Sequence, residues 1–279
     1  MSEHNPEIGR TIACGSVRTN YHDVGAGAPV LLLHGSGPGV SAWANWRLTM
    51  RDLAPHFRLL APDLAGFGYS DKTVGATYTR DAWLRQIVSF LDAVAVDKAH
   101  VIGNSFGGSM ALALAIAHPQ RVDRLVLMGS VGVPFDLTPG LDAVWGYEPS
   151  FENMQAIMRI FAYDQSLVGD QLVQLRYKAS MRPGVGEAYR SMFPPPRQRW
   201  VDTMAHAEAD VRAITHPTLL VHGRDDKVIP LATSATMLEW IDDSRLHVFG
   251  RCGHWTQIEH AAAFAALVTS FLGEARHEA

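Results

Sequence analysis

The segment AHVIGNSFGGSMALALAIA (residues 99–117) decides the fold class, because it reads as an apolar strand, a glycine-flanked serine turn and an apolar helix. Its centre, Gly103-Asn104-Ser105-Phe106-Gly107, matches the pattern G-x-S-x-G. In that pattern the serine stands on a sharp turn between a strand and a helix, with its hydroxyl at the top of a sheet. The glycines permit the strained turn and the close approach of helix and strand. This context favours a nucleophilic serine over a chance glycine–serine turn.

Short apolar strands recur on both sides of this segment, at 30–33, 59–61 and 125–128. Between them lie longer stretches whose apolar residues keep three- and four-residue spacing, which is typical of helices. Such alternation predicts an α/β fold with a mostly parallel central sheet flanked by helices. Residues 11–24 predict a hairpin that adds an antiparallel edge.

The alternation stops after Gly132 and resumes with apolar strands at 218–221 and 246–249. The intervening stretch carries proline and glycine punctuation and helical patterns but no clean buried strand. We therefore predict one core domain, built from residues 1–134 and 211–279, with a helical cap of residues 135–210 inserted into it.

A serine hydroxyl needs a base to become a nucleophile. In the order serine, acid, histidine, the later segments supply His254 after the strand at 246–249, and Asp225 and Asp226 after the strand at 218–221. The carboxyl ends of parallel strands meet at one sheet edge, where open α/β sheets bind ligands. The residues alone leave the acid open between Asp225 and Asp226.

Acyl transfer also needs donors for a developing oxyanion. The loop His34-Gly35-Ser36-Gly37-Pro38-Gly39 follows the strand at 30–33, and a loop at this place usually provides one backbone N–H. We predict that the N–H groups of Ser36 and Phe106 form the oxyanion hole. The loop matches neither common phosphate-binding glycine pattern.

The composition excludes several function classes. The chain has 279 residues and 24 Lys+Arg against 28 Asp+Glu, with 47% hydrophobic residues, so it is neither disordered nor basic enough to suggest nucleic acid or an anionic membrane as a partner. Its two cysteines cannot form a disulfide framework, and no paired metal-binding motif occurs. No apolar run is long enough to span a membrane, and the opening residues lack a signal-peptide pattern. We expect a cytoplasmic enzyme that needs no metal.

Taken together, these motifs resemble the meta-cleavage product hydrolases, α/β hydrolases of bacterial aromatic degradation, and look closest to the 2-hydroxymuconic semialdehyde hydrolases among them. The resemblance covers nearly the whole chain. Its most specific segments are HGSGPGVSAWANW (34–46), DLAGFGYSD (63–71), GNSFGG (103–108), LMGSVGVPF (127–135), TPGLDAVWGYEPSF (138–151), FAYDQSL (161–167), HGRDDKVIP (222–230) and HVFGRCGHWTQIEH (247–260).

The resemblance implies a serine-dependent hydrolysis of a C–C bond in a ring-opened dienoate. The products would be 2-hydroxypenta-2,4-dienoate and a carboxylic acid, which is formate for the semialdehyde. It implies no cofactor and a homo-oligomer. Whether the reaction runs through a gem-diol or an acyl-enzyme stays open, as does the size of the acyl group.

Carried onto this sequence, the resemblance makes Ser105 the nucleophile, His254 the base and Asp226 the acid. It implies that four further residues bind the substrate: Asn45, Asn104, Arg176 and Trp255. Arg176 offers a planar fork that suits a carboxylate. We expect Leu141, Trp145 and Ile229 to line the acyl pocket.

Two other functions compete with this interpretation. A carboxylesterase on the same fold would use the same three residues but would not need Arg176 or Asn45. A non-catalytic small-molecule receptor could keep the three residues without turning over a substrate.

Overall fold

The structure, a computed structural model, describes residues 5–72 and 78–275. Its sheet has eight strands in the order β1-β2-β4-β3-β5-β6-β7-β8. The strands are β1 Arg10–Cys14, β2 Val17–Val24, β3 Pro29–Leu33, β4 Arg58–Pro62, β5 Ala99–Asn104, β6 Val122–Met128, β7 Thr218–Gly223 and β8 Ser244–Phe249.

Helices follow most of these strands. They are α1 Ala42–Leu53, α2 Arg80–Ala93, α3 Phe106–Ala117, α4 Pro139–Trp145, α5 Phe151–Phe161, α6 Asp170–Ser180, α7 Val185–Met192, α8 Gln198–Met204, α9 Glu208–Arg212, α10 Leu231–Trp240, α11 Thr256–Glu259 and α12 Ala261–Gly273. Side chains cap several of them at the N-terminus; for example, Ser41 Oγ accepts a hydrogen bond from the backbone N–H of Ala44 at the start of α1.

The sheet is parallel from β3 to β8, and the hairpin β1–β2 adds an antiparallel edge next to β4. The predicted fold class and the predicted edge hairpin are therefore confirmed. Strand β5 lies between β3 and β6, and all six of its residues are buried. A strand covered on both faces is mostly apolar, which explains why residues 30–33 of β3, 101–103 of β5 and 125–128 of β6 are continuous apolar runs rather than alternating ones.

Two hydrophobic cores cover the two faces of the sheet. On β3, Leu31 and Leu33 belong to the core that contains α2 and α3, whereas Val30 and Leu32 belong to the core that contains α1 and α12. Helix α3 begins directly after Ser105 and is buried from Phe106 to Ala115. The helix that follows the serine is thereby held rigidly against the centre of the sheet.

Residues 129–217, all of them described, contain the helices α4 to α9 and no strand; we call this stretch the inserted segment. It lies between β6 and β7, where the alternation pattern stops. The spacing of Leu167, Leu172, Leu175 and Tyr177 predicts a single helix, which the structure divides. Gln165–Leu167 forms a separate 3₁₀ turn, capped by the Asp164 carboxylate, and α6 begins only at Asp170.

Candidate active site

Ser105 stands on a strained turn between β5 and α3. Its backbone φ angle is 54°, in the left-handed region that residues other than glycine rarely adopt. Hydrogen bonds hold it there: its N–H donates to Met128 O at 2.9 Å, and its carbonyl accepts from the N–H of Gly108 at 2.9 Å. A Cβ at Gly107 would lie 2.2 Å from Leu33 O, so only glycine allows α3 this close to β3.

His254 and Asp226 come together at the ends of β7 and β8. His254 Nδ1 lies 2.7 Å from Asp226 Oδ2, while Asp226 Oδ1 accepts the backbone N–H groups of Val228 and Ile229 at 2.7 and 3.0 Å. Asp225 instead lies 3.4 Å from the Arg224 guanidinium at the surface. The structure thus brings Asp226, and not Asp225, to the histidine.

The surroundings of Asp226 favour its charged form. Burial alone would raise the pKa of Asp226, but the adjacent imidazoles of His254 and His222 outweigh burial and hold that pKa well below its usual range. A carboxylate that stays ionised keeps the proton of the imidazole on Nδ1 and leaves Nε2 free to accept another.

His222 is a residue that the sequence reasoning missed. It is fully buried, with Nε2 at 3.0 Å from Ile229 O and 3.4 Å from Asp226 Oδ2, and Nδ1 at 2.8 Å from Ser234 Oγ. Two acceptors at Nε2 place the proton on that nitrogen, so the Ser234 hydroxyl donates to Nδ1. The available signal was the position of His222 at the end of β7, four residues before Asp226.

His34 fixes the loop after β3. Its Nε2 accepts the Leu64 N–H at 3.0 Å, and its Nδ1 donates to Gly35 O at 2.7 Å. Complete burial lowers the pKa of His34 to about 4, so the ring is neutral at neutral pH. The N–H of Gly35 donates to Asn45 Oδ1 at 3.1 Å.

The two predicted oxyanion donors flank the serine turn. Among the described residues the Ser36 N–H has no acceptor, and Phe106 is the first residue of α3, where helix geometry leaves the N–H without an intrahelical acceptor. The Ser36 hydroxyl is occupied, since it accepts from Trp145 Nε1 at 3.0 Å. This bond joins the glycine-rich loop to the inserted segment.

A cavity of about 340 Å³ opens over the serine. Eight of the predicted site residues belong to its wall: Ser36, Asn45, Asn104, Ser105, Leu141, Arg176, His254 and Trp255. Leu141, Val144, Met154, Ile157, Met158 and Leu172 of the inserted segment form its apolar side. Leu141 thus lies where the sequence reasoning expected it.

Trp145 and Ile229 differ from the prediction, because neither belongs to the described wall of the cavity. The Trp145 ring stacks on Phe193 with centroids 4.5 Å apart, and its N–H is used by Ser36. The Ile229 side chain is fully buried in the core, and its backbone N–H serves Asp226. Both residues position the site indirectly: Trp145 through its hydrogen bond to Ser36, and Ile229 through its hydrogen bond to Asp226.

Two arginines lie in the cavity wall, of which sequence reasoning found only Arg176. Arg176 Nη2 lies 2.6 Å from Glu7 Oε1, and both side chains are largely buried. Arg47, on α1, was missed; its signal was its position on the same helix face as Ala44 and Leu48. Burial and, next, the neighbouring Arg176 lower the pKa of Arg47.

A carboxylate ties the loop of His254 to the end of α5. Glu259 Oε1 accepts the Gly253 N–H at 2.7 Å, and Glu259 Oε2 accepts the N–H groups of Tyr163 and Asp164, each at 2.8 Å. The His254 N–H donates to Phe161 O at 2.7 Å. The loop of the candidate base is therefore anchored to the inserted segment and not only to the sheet.

Comparison with known proteins places this geometry in a family. A sequence profile described as the alpha/beta hydrolase fold matches residues 28–261. A crystal structure of a meta-cleavage product hydrolase from Pseudomonas fluorescens IP01, a serine variant complexed with acetates, superposes with a TM-score of 0.96 at 53% identity, covering 98% of this chain and 100% of that one. The chain belongs to the meta-cleavage product hydrolases, within the α/β hydrolase family.

Curated relatives of this meta-cleavage product hydrolase agree with the assignment. A 2-hydroxymuconate semialdehyde hydrolase of Pseudomonas sp. strain CF600 is 59% identical over 273 residues, covering 98% of this chain and 96% of the relative. A 2-hydroxy-6-oxo-2,4-heptadienoate hydrolase of Pseudomonas putida is 57% identical over 272 residues, covering 98% and 99%. Among the described residues, no helix is both long and apolar enough to cross a membrane.

Proposed function

We propose that this enzyme hydrolyses the C–C bond of 2-hydroxymuconic semialdehyde, or of a closely related 2-hydroxy-6-oxohexa-2,4-dienoate, in the meta-cleavage pathway of aromatic degradation. Water adds across the bond and gives 2-hydroxypenta-2,4-dienoate and formate or another small acid. The observation that carries the proposal is that one cavity combines Ser105 and His254 with the donors of Asn45 and Arg176. A simple ester would need the first pair only.

We distinguish two ends of the cavity: a nucleophile end with Ser105 and His254, and an anion end with Asn45 and Arg176. We assign Ser105 as nucleophile, His254 as general base and Asp226 as the carboxylate that orients and stabilises the imidazolium. The N–H groups of Ser36 and Phe106 hold the carbonyl oxygen as it becomes an oxyanion. When the C–C bond breaks, its electron pair stays on the dienoate fragment, which takes a proton.

The anion end orients the dienoate. Asn45 Nδ2 and Arg176 Nε are buried without a hydrogen-bond partner among the described residues. Buried donors of this kind cost free energy unless something satisfies them, so they fit the enol oxygen and the carboxylate of the bound substrate. Asn104, which precedes Ser105, and Trp255, which follows His254, complete the proposed binding set.

The same donor set serves two chemical routes. Ser105 can attack the carbonyl carbon directly and form an acyl-enzyme, or it can assist a water molecule that adds to form a gem-diol. In both, His254 Nε2 removes the proton and the oxyanion donors face the same oxygen. We propose no cofactor for either route, because each step is a proton transfer or an addition that these residues perform.

The remaining expectations concern organisation. We propose that residues 135–210 act as a cap on the core of residues 1–134 and 211–279, since α4 and α5 supply the apolar wall of the cavity. We also propose a cytoplasmic homo-oligomer whose partner is the small dienoate substrate, without nucleic acid or membrane.

Turnover assays on two substrates test this function. We expect wild-type kcat/KM for 2-hydroxymuconic semialdehyde to exceed that for p-nitrophenyl acetate by about 10²-fold or more, and Ser105→Ala to lower turnover by at least about 10³-fold. Equal or better ester hydrolysis would make the enzyme a carboxylesterase. Binding of the dienoate without turnover would make it a receptor, and activity of Ser105→Ala within tenfold of wild type would remove the nucleophile assignment.

A further inference from the structure

Two guanidinium groups share one wall of the cavity, and among the described residues only one of them forms an ion pair. Arg47 and Arg176 both line the cavity, and no Lys, Asp or Glu does so among the described residues. Arg176 pairs with Glu7 at 2.6 Å. Arg47 donates from Nη1 to the neutral carbonyl of Ala44 at 2.9 Å and has no ion-pair partner in the described part of the chain.

Glu7 is built into the fold as a partner for Arg176. Its Oε2 accepts from the hydroxyl of Ser41, the N-cap of α1, at 2.8 Å, and its carbonyl accepts from Asn20 Nδ2 at 3.0 Å. The residue is 8% exposed. Because Glu7 is held by three separate elements, it fixes the Arg176 guanidinium and offsets the repulsion between the two arginines.

Arg47, Arg176 and Glu7 together carry a net charge of one positive unit at this wall of the cavity. A substrate with one carboxylate would neutralise it, and charge-assisted hydrogen bonds from a guanidinium are about twice as strong as neutral ones. Arg47 and Asn45 both line the cavity from α1. A carboxylate that reaches both arginines therefore lies in the same cavity as the amide assigned to the enol oxygen.

We propose that Arg47 is a second carboxylate-binding residue, which receives the substrate's C1 carboxylate together with Arg176, while Glu7 holds Arg176 in position. This proposal rests on the proposed function for the identity of the substrate, but the anion site itself does not. The competing explanation is that Arg47 only covers apolar surface with its stem and sends its charge to water.

The test measures anion binding without any turnover. Calorimetry follows binding of sorbate (hexa-2,4-dienoate), a planar carboxylate without the scissile ketone, to wild type and to Arg47→Gln, Arg47→Lys and Arg176→Gln. Arg51→Gln is the matched control, because Arg51 lies one turn further along α1, is 66% exposed in its side chain and pairs with Asp52 at the surface. Thermal unfolding of each variant checks that it is folded.

We expect Arg47→Gln to weaken sorbate binding at least about tenfold, as Arg176→Gln does, and Arg47→Lys to restore part of the loss because it keeps the charge but not the planar fork. Arg51→Gln should bind like wild type. With the ring-fission substrate, Arg47→Gln should raise KM more than it lowers kcat.

Three results would overturn the proposal. They are wild-type protein that binds no sorbate, a folded Arg47→Gln that binds it within twofold of wild type, and an Arg51→Gln that loses as much as Arg47→Gln. These results are independent of the proposed function, which fails only if wild-type protein does not cleave the dienoate. An enzyme that binds sorbate through Arg47 but does not cleave the dienoate would keep the anion site and lose the reaction.

Discussion

The imidazole of His222 contacts the same carboxylate oxygen of Asp226 that faces His254, with 3.4 Å between His222 Nε2 and Asp226 Oδ2. The acid is therefore held by a second imidazole and by two backbone N–H groups besides its contact with His254. Every position around the carboxylate is occupied by a donor, which fixes its rotamer and keeps it charged. The neighbouring Asp225 has none of these contacts with a histidine.

This difference predicts opposite outcomes for two adjacent substitutions. Asp226→Asn should lower kcat by about 10²- to 10⁴-fold, because the amide can no longer hold the proton of His254 on Nδ1. Asp225→Asn, its matched control, should keep kcat within about twofold, since the partly exposed pair with Arg224 contributes little and asparagine keeps an oxygen for the long contact with the Cys252 N–H. Steady-state kinetics on the semialdehyde decides, and similar losses in both variants would contradict the assignment of the acid.

Glu259 predicts a joint effect on stability and turnover. A glutamine there keeps only one acceptor oxygen for the three backbone N–H groups of Gly253, Tyr163 and Asp164, so at least one of these donors loses its acceptor. We expect Glu259→Gln to lose about 1 kcal/mol of unfolding free energy in urea titrations and to lower kcat, because the loop of His254 loosens. Glu239→Gln, whose side chain is 75% exposed, should change neither. A stability loss without a change in kcat would show that the hydrogen bonds of Glu259 stabilise the fold but do not contribute to catalysis.

The apolar wall predicts the limits of the acyl group. Leu141 lines the cavity, so Leu141→Ala should raise kcat/KM for benzoyl-bearing ring-fission products relative to formyl-bearing ones by about tenfold. Leu175→Ala serves as control, because Leu175 lies in the same inserted segment but is 55% exposed. The measurement is kcat/KM across formyl, acetyl, isobutyryl and benzoyl substrates. An unchanged order of preference would show that Leu141 does not limit the pocket.

Two buried histidines predict how stability depends on pH. Burial lowers the pKa of His34 and of His206 to about 4, whereas in the unfolded chain a histidine titrates near 6.5. Between these values the unfolded state binds more protons, so the unfolding free energy falls as the pH falls from about 6.5 to 4. From pH 7 to pH 5 each histidine should remove about 2 kcal/mol.

Urea titrations at the two pH values check this dependence. His206→Gln should lower the difference between pH 7 and pH 5 by about 2 kcal/mol, even if it destabilises the protein at both. His56→Gln, at an exposed position, should keep the wild-type difference. An unaltered difference in His206→Gln would show that His206 is not the group responsible.

Chelation should leave the reaction unchanged. In the described ranges no cluster of three or more His, Cys, Asp or Glu side chains could hold a metal ion, and the proposed route uses none. Prolonged incubation with EDTA followed by the semialdehyde assay should give wild-type rates. A loss of activity that added metal restores would contradict the cofactor-free route.

Local patterns predicted the serine turn, the pair Asp225-Asp226 and His254, because each depends on a strand end, and parallel strands bring their carboxyl ends together. Residue types alone could not separate Asp225 from Asp226, since the choice depends on the turn after β7. Glu7 and Arg176 are 169 positions apart, and only the folded chain brings them into contact. Trp145 was expected in the acyl pocket because it follows Leu141 by about one helical turn. Its ring instead stacks on Phe193, which directly follows α7, and only the folded chain brings these two rings together.

The contact between Glu7 and Arg176 connects the N-terminal segment to the cavity wall. Glu7 precedes the first strand, in a region where affinity tags and truncations are commonly placed. Removing residues through Ile8 would take no residue from the strands but would deprive Arg47 and Arg176 of the negative charge of Glu7. An N-terminal tag that pulls this segment away would have the same consequence, so preparations of this enzyme should carry their tags at the other end.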